Sequence, residues 1–120
     1  MPVPTQHASI AAWQDETHVI ENRRLYREKF EKVLPLLDTC LPVKRPDAAF
    51  YLWPDIDGDD EVFVRELYRH KNVLTLPGSY LARAAGGVNP GAGRIRMSLV
   101  APLAECIEAA QRISDFITSR

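Results

Sequence analysis

The sequence predicts a small α+β domain in which a short three-stranded sheet packs against helices. Three observations predict it. A length of 120 residues fits one domain, three short apolar stretches have strand character, and longer segments carry apolar residues at helical spacing. Hydrophobic residues make up 46% of the chain and charged residues 26%, as in ordinary globular proteins. The formal net charge of −1 argues against a broad nucleic-acid surface.

The amino-terminal third is predicted to form two helices. Thr5 is expected to cap a short helix over residues 6–13, and Asp15 is expected to cap a longer one. The longer helix carries apolar residues at steps of three and four: Tyr26, Phe30, Val33, Leu34, Leu37 and Leu41. Because proline lacks an amide N–H, we expect a kink or an early end at Pro35.

The middle of the chain predicts a strand, a helix and a second strand. Residues 48–53 and residues 73–76 are apolar stretches, each followed by a proline that is expected to end it. Between them, three acidic residues place negative charge where the amino end of a helix is stabilised: Asp59, Asp60 and Glu61. That helix is expected to run to about His70.

The last third predicts a loop, a strand and a helix. Residues 79–93 are expected to be mostly loop because they are rich in glycine. In residues 94–100 the side chains alternate, so Arg94, Arg96 and Ser98 share the face opposite the apolar residues. Pro102 is expected at the first position of the last helix. The buried stripe of that helix is predicted to be Leu103, Cys106, Ile107, Ala110, Ile113 and Ile117.

The sequence contains no complete catalytic or metal-binding constellation. The histidines (His7, His18 and His70) lie in different predicted elements, and the two cysteines have no metal-site spacing. Residues 57–60 are acidic but lack the ligand series of a calcium loop. The glycines of residues 86–93 do not lead from a strand into a helix, as a phosphate-binding loop requires. We therefore predict no metal site.

Neither a membrane nor a secretory signal is expected. No apolar run in the sequence is long enough to cross a bilayer. Residues 1–6 have no charged region followed by an apolar stretch, as a signal peptide would. The expected location is the cytoplasm, and the expected partners include neither membranes nor nucleic acid.

Arg96 is the most informative single residue. It is predicted to lie in the middle of a strand whose other face is apolar. A buried guanidinium is costly unless an anion meets it, and its planar fork suits a carboxylate. From periodicity alone, the simpler interpretation is an exposed arginine or one that pairs with a structural acid.

Three segments form a recognisable series: residues 46–53 (PDAAFYLW), 73–80 (VLTLPGSY) and 93–100 (GRIRMSLV). With the Gln-Xaa-Ala-Ser helix near the start, they resemble the carboxy-terminal small domain of class I, fold type I, pyridoxal-phosphate aminotransferases. The motifs occur in the family's order and cover nearly the whole chain. Residues 5–13, 21–27 and 99–103 also resemble one branch, the bacterial N-succinyldiaminopimelate aminotransferases of lysine and diaminopimelate biosynthesis.

The resemblance implies a cofactor, a reaction and a division of the chain. Pyridoxal phosphate would serve amino transfer between N-succinyl-LL-2,6-diaminopimelate and 2-oxoglutarate in a homodimeric full-length enzyme. Residues 1–14 would be an interdomain helix segment, and residues 15–120 the small domain. Arg96 would bind the substrate α-carboxylate, with Arg94 as the weaker match to the motif. The turn residues Pro77, Gly78, Ser79 and Tyr80 would lie near the site.

The chain departs from the family pattern at two points. Ala48 replaces the usual glycine of the first motif, and we expect it to be an ordinary strand residue. None of the four lysines lies in the family's serine-rich Schiff-base context: Lys29, Lys32, Lys44 and Lys71. A cofactor domain upstream is therefore an expected partner, and the chain alone is expected to bind no cofactor and to be inactive.

Two alternative functions remain open at this stage. The chain could be the small domain of another class I aminotransferase, acting on aspartate or aromatic substrates. It could also be an independent, non-catalytic binding module that shares this fold.

Overall fold

A computed structural model describes all 120 residues as five helices and one three-stranded antiparallel sheet. The helices are α1 (Val3–Gln14), α2 (Thr17–Leu37), α3 (Asp60–Lys71), α4 (Gly78–Leu81) and α5 (Leu103–Thr118). The strands are β1 (Tyr51–Leu52), β2 (Leu76–Pro77) and β3 (Ile95–Ser98), in the order β1-β3-β2. The predicted α+β class with three short strands is confirmed.

The core lies between the inner face of the sheet and helices α2, α3 and α5. The buried residues of α5 are Cys106, Ala110, Ile113 and Phe116. The predicted stripe is right for the first three, whereas Leu103, Ile107 and Ile117 are only half-buried. The stripe continues from Ile113 by a step of three to Phe116, which packs edge-on against Phe63 with ring centroids 5.4 Å apart.

Helix α1 begins earlier than predicted and buries none of its residues. It starts at Val3, so Thr5 lies inside the helix and the predicted cap is wrong. Pro4 does not delay the start, because the N–H that proline lacks would have no helical partner in the first turn. Ile10 is 52% exposed and Trp13 is 82% exposed.

The caps of α2 and α3 follow the sequence more closely. The cap position of α2 is Glu16, one residue after the predicted Asp15, although the Asp15 carboxylate accepts the N–H of Thr17 at 3.0 Å. Pro35 lies in the last turn of α2, which ends two residues later. In α3, the Asp59 carboxylate accepts the N–H of Val62 at 2.9 Å.

The strands are shorter than predicted, and their ends differ. Ala48 and Ala49 form a bend before β1, so the expectation that Ala48 is an ordinary strand residue is wrong. Ala49 has a φ of 80°, a conformation that suits glycine. Pro77 belongs to β2 instead of stopping it, because at a sheet edge its missing N–H costs no ladder bond. Helix α4 and the bend at Ala82 occupy part of residues 79–93, which were expected to be loop.

The last helix begins one residue later than the sequence indicates. Pro102 occupies the cap position of α5 and is not its first helical residue. The sequence also overestimates β3, which covers residues 95–98 of the predicted 94–100. Element ends are set by contacts between segments, so such differences of one or two residues are ordinary.

Candidate functional site

Arg96 lies on the central strand of the sheet and faces away from the core. In the β1–β3 ladder Tyr51 is opposite Ser98, and the same antiparallel register places Trp53 opposite Arg96. Leu76 of β2 pairs with Arg96 from the other side. Because side chains alternate along a strand, these five residues share the outer face of the sheet.

The guanidinium of Arg96 has aromatic and aliphatic neighbours but no acid. Its Cζ lies 4.8 Å from the centroid of the Tyr51 ring. Beside it is a shallow pocket lined by Tyr51, Trp53, Leu81 and Arg96. The Nε of Arg96 is buried and has no hydrogen-bond partner. Buried donors without a partner are rare in folded proteins, and a carboxylate is the group that the guanidinium fork binds best.

Arg94 has a different environment, although it points from the same strand face. Its Nη2 lies 2.9 Å from Oδ1 of Asp55, where the two residues form an isolated β-bridge. Pairing with a structural acid, which the sequence left open for Arg96, applies instead to Arg94. Arg96 is the arginine that remains available for an external anion.

The turn after β2 lies close to Arg96 but directs its polar groups elsewhere. The Tyr80 hydroxyl donates to Oε2 of Glu61 at 2.9 Å. None of the four turn residues predicted near the site is among the residues that line the pocket: Pro77, Gly78, Ser79 and Tyr80. They form the turn that carries Leu81 into the pocket lining.

A buried carboxylate ties this turn to the segment that leads into β3. Asp60 is only 5% exposed. Its Oδ2 accepts the N–H of Ser79 at 2.7 Å, and its Oδ1 accepts the N–H of Gly93 at 3.4 Å. Burial by itself would raise the pKa of Asp60, but the amide donors favour the charged form and hold its pKa below the ordinary value.

Two glycines allow the same segments to approach backbone to backbone. A Cβ on Gly78 would lie 2.2 Å from the carbonyl oxygen of Gly91. Next to this contact, Nδ2 of Asn89 donates to the carbonyl oxygen of Ser79 at 2.9 Å. No residue with a side chain fits at this crossing without moving one of the segments.

Sequence reasoning missed three of the residues that surround the Arg96 guanidinium. Tyr51 and Trp53 flank the buried Leu52, so strand alternation was a usable signal for them. Leu81 had no such signal, because it lies in a one-turn helix that the glycine-rich composition concealed.

The remaining chemistry-bearing residues do not form a site. No three histidine, cysteine, aspartate or glutamate side chains are arranged to hold a metal ion. His18 pairs with Asp15 and His70 with Glu66 on helix surfaces. None of the helices has the length and apolar character to span a membrane.

Comparison with known proteins gives a family match over most of the chain. The family model described as "Aminotransferase class I and II" matches residues 1–113. An aminotransferase structure from Neisseria meningitidis shares 51% sequence identity and a TM-score of 0.91, over 98% of this chain and 30% of that one. The aspartate aminotransferase of Thermotoga maritima is 35% identical over 117 residues, which cover 96% of this chain and 28% of that protein.

One further structure bears on the branch that the sequence resembles. It is described as a "probable N-succinyldiaminopimelate aminotransferase" from Thermus thermophilus and is 35% identical, with a TM-score of 0.63. The match covers 77% of this chain and 24% of that one. The 120 residues therefore span less than a third of the length of each of these relatives.

Proposed function

The chain belongs to the class I and II aminotransferase family, and we propose that it is the small domain of an aminotransferase, in which Arg96 binds the α-carboxylate of the substrate. The observation that carries the proposal is the environment of Arg96. Its guanidinium lies at the edge of a pocket, has no acid partner and keeps a buried Nε without an acceptor. Arg94, two residues away, is already paired with Asp55.

The geometry supports binding and orientation as the contribution of this chain. A bidentate carboxylate would accept from the fork of Arg96 and complete its hydrogen bonds. Fixing the carboxylate fixes the neighbouring Cα, and orientation of reacting groups can lower a barrier by several kcal/mol. Trp53 and Leu81 line the same pocket and would exclude water from the ion pair, which strengthens it.

The residues of this chain do not fit the attachment of pyridoxal phosphate. The cofactor needs a lysine amine, and no lysine lines the Arg96 pocket. Lys29 donates to the carbonyl oxygen of Leu99 at 2.8 Å, so its ammonium is committed to the fold. The cofactor, which supplies the amino-transfer chemistry when bound, would be held by another part of the protein. No catalytic step is assigned to this chain.

For the substrate, we propose amino transfer between N-succinyl-LL-2,6-diaminopimelate and 2-oxoglutarate. Three sequence segments support this branch, as does the 35% identity to the Thermus thermophilus protein. The second candidate is an aspartate aminotransferase, which the name of the Thermotoga maritima relative favours at equal identity. A screen of amino donors with the intact enzyme separates the two.

The proposal extends to the arrangement of the whole protein. Residues 1–14 form an interdomain segment, and residues 15–120 form the small domain that packs on a cofactor domain in a homodimer. The exposed apolar residues of α1 support this division, because α1 buries none of its residues and leaves Ile10 and Trp13 largely exposed.

Arg96→Ala in the intact enzyme tests the proposal. Removing one partner of a buried charge pair typically costs about 2–5 kcal/mol, so kcat/KM for amino donor and keto acid should fall by roughly thirty-fold to several thousand-fold. Arg96→Lys keeps the charge but loses the fork, and it should also be damaging. Cofactor absorbance should not change.

Arg94→Ala is the matched control, because it removes an arginine from the same strand face. It should be much milder, since Arg94 is paired with Asp55. The proposal is wrong if Arg94→Ala is the crippling change and Arg96→Ala is tolerated.

A further inference from the structure

We propose that Tyr51 is a positioning residue whose ring holds the guanidinium of Arg96 in the plane that receives the substrate carboxylate. This inference rests on the proposed function of Arg96. It adds a second residue to the carboxylate site and assigns the work to the flat face of the ring, with no part for its hydroxyl.

The first observation is the contact between the guanidinium of Arg96 and the ring of Tyr51. Cζ of Arg96 lies 4.8 Å from the ring centroid of Tyr51, within the range of a cation–π interaction. The guanidinium forms no salt bridge, and Nε finds no acceptor. An arginine side chain has many rotamers, so without the ring its fork would have no fixed direction.

The second observation is that the Tyr51 ring packs against a second aromatic ring. It packs edge-on against Phe50, with centroids 5.7 Å apart and an interplanar angle of 88°. The Phe50 ring in turn packs against the ring of Tyr26 on α2, with centroids 6.1 Å apart. Three aromatic rings thus form a series of contacts from helix α2 to the guanidinium.

A ring suits this position better than an acid would. A carboxylate partner would orient Arg96 equally well, but it would occupy the donors that the substrate needs. The π face attracts the cation while leaving its N–H groups, which lie in the guanidinium plane, free to donate. Arg94 illustrates the other arrangement, because Asp55 already accepts from it.

Two substitutions of Tyr51 and one control substitution separate the ring face from the hydroxyl. The Tyr51 hydroxyl takes part in no hydrogen bond of the structure, and Tyr51→Phe keeps the ring face that contacts Arg96. Tyr51→Leu keeps apolar volume and removes the flat face. Tyr68→Leu is the matched control, since Tyr68 is 55% exposed on α3 and does not line the pocket.

The experiment compares these variants in the intact enzyme. Steady-state kinetics with 2-oxoglutarate give KM and kcat, and the Nε–Hε resonance of Arg96, assigned with Arg96→Lys, reports the ring above it. For Tyr51→Leu we expect kcat/KM to fall by about two- to thirty-fold, the range of a cation–π contact. The resonance should lose its ring-current shift. Tyr51→Phe should keep the ring-current shift, because it keeps the ring, and Tyr68→Leu should leave both readouts unchanged.

The outcomes separate this inference from the proposed function. If Arg96→Ala leaves KM unaltered, the assignment of Arg96 fails. If Arg96→Ala is crippling but Tyr51→Leu matches Tyr68→Leu, only the role of Tyr51 fails. Equal damage from Tyr51→Phe and Tyr51→Leu also overturns it, because the hydroxyl would then matter. Should Tyr51→Leu not fold, Tyr51→Met, another apolar side chain without a flat ring, carries the same expectations.

Discussion

Asp60→Asn is expected to destabilise the fold by about 2–3 kcal/mol, although Asp60 does not touch the pocket. Its carboxylate is 5% exposed and accepts the N–H groups of Ser79 at 2.7 Å and Gly93 at 3.4 Å. A hydrogen bond to a charged group contributes about 1.5–3 kcal/mol, and the second, longer bond adds little. Asparagine keeps one acceptor, but its amide group would face a backbone N–H, donor against donor.

The free energy of unfolding, measured by urea titration and circular dichroism at pH 7, checks this value. Asp57→Asn is the control, because Asp57 is exposed in the bend before α3 and accepts no hydrogen bond. It should stay within about 0.5 kcal/mol of the wild type. An Asp60→Asn protein as stable as the control would refute the argument that this carboxylate holds the turn to β3.

The same hydrogen bonds make the stability of the fold depend on pH. The folded state holds the pKa of Asp60 below its ordinary value of 3.8, so the unfolded chain binds the proton more tightly. The stabilisation is therefore fully present above the ordinary pKa and is lost as the pH falls through the folded pKa. The difference in unfolding free energy between wild type and Asp60→Asn should shrink below about pH 4. A difference that stays constant down to pH 2 would contradict it.

Two backbone predictions concern alanine and glycine. Ala49→Gly should raise the unfolding free energy by up to about 1 kcal/mol, because φ at Ala49 is 80°. Ala48→Gly should lower it by about 0.5–1 kcal/mol. Equal effects of the two variants in urea titrations would contradict this prediction. Gly78→Ala should cost more than about 2 kcal/mol, because its Cβ would meet the Gly91 carbonyl oxygen at 2.2 Å. Gly86→Ala, with open space around it but a φ of 59°, should cost only about 1 kcal/mol in the same assay.

Those parts of the fold that depend on local periodicity could be predicted from the sequence. The buried positions of α2 and most of those of α5 follow from steps of three and four along the chain. Strand alternation also placed Arg96 on the face opposite Ile95 and Met97, which the structure confirms. The resemblance in three short motifs was enough to identify the family that matches residues 1–113.

Contacts between distant segments could not be predicted in this way. Asp60 was assigned to the amino end of a helix because acids are common there, and its bonds to amides 19 and 33 residues away leave no trace in that pattern. The approach of Gly78 to Gly91 likewise depends on how two turns cross. The positive φ of Ala49 was missed because the motif places the usual glycine one residue earlier, at Ala48.

The same long-range contacts explain why Arg96, unlike Arg94, is left without an acid. Three of the carboxylates in the segments around its strand have donors of their own. Asp55 accepts from Arg94, Asp60 from two backbone amides, and Glu61 from a tyrosine hydroxyl. An unpaired buried donor costs a fold about 1–3 kcal/mol, and an incoming carboxylate removes that cost when it binds. Satisfying the neighbouring acids internally therefore directs the affinity of Arg96 towards an external anion.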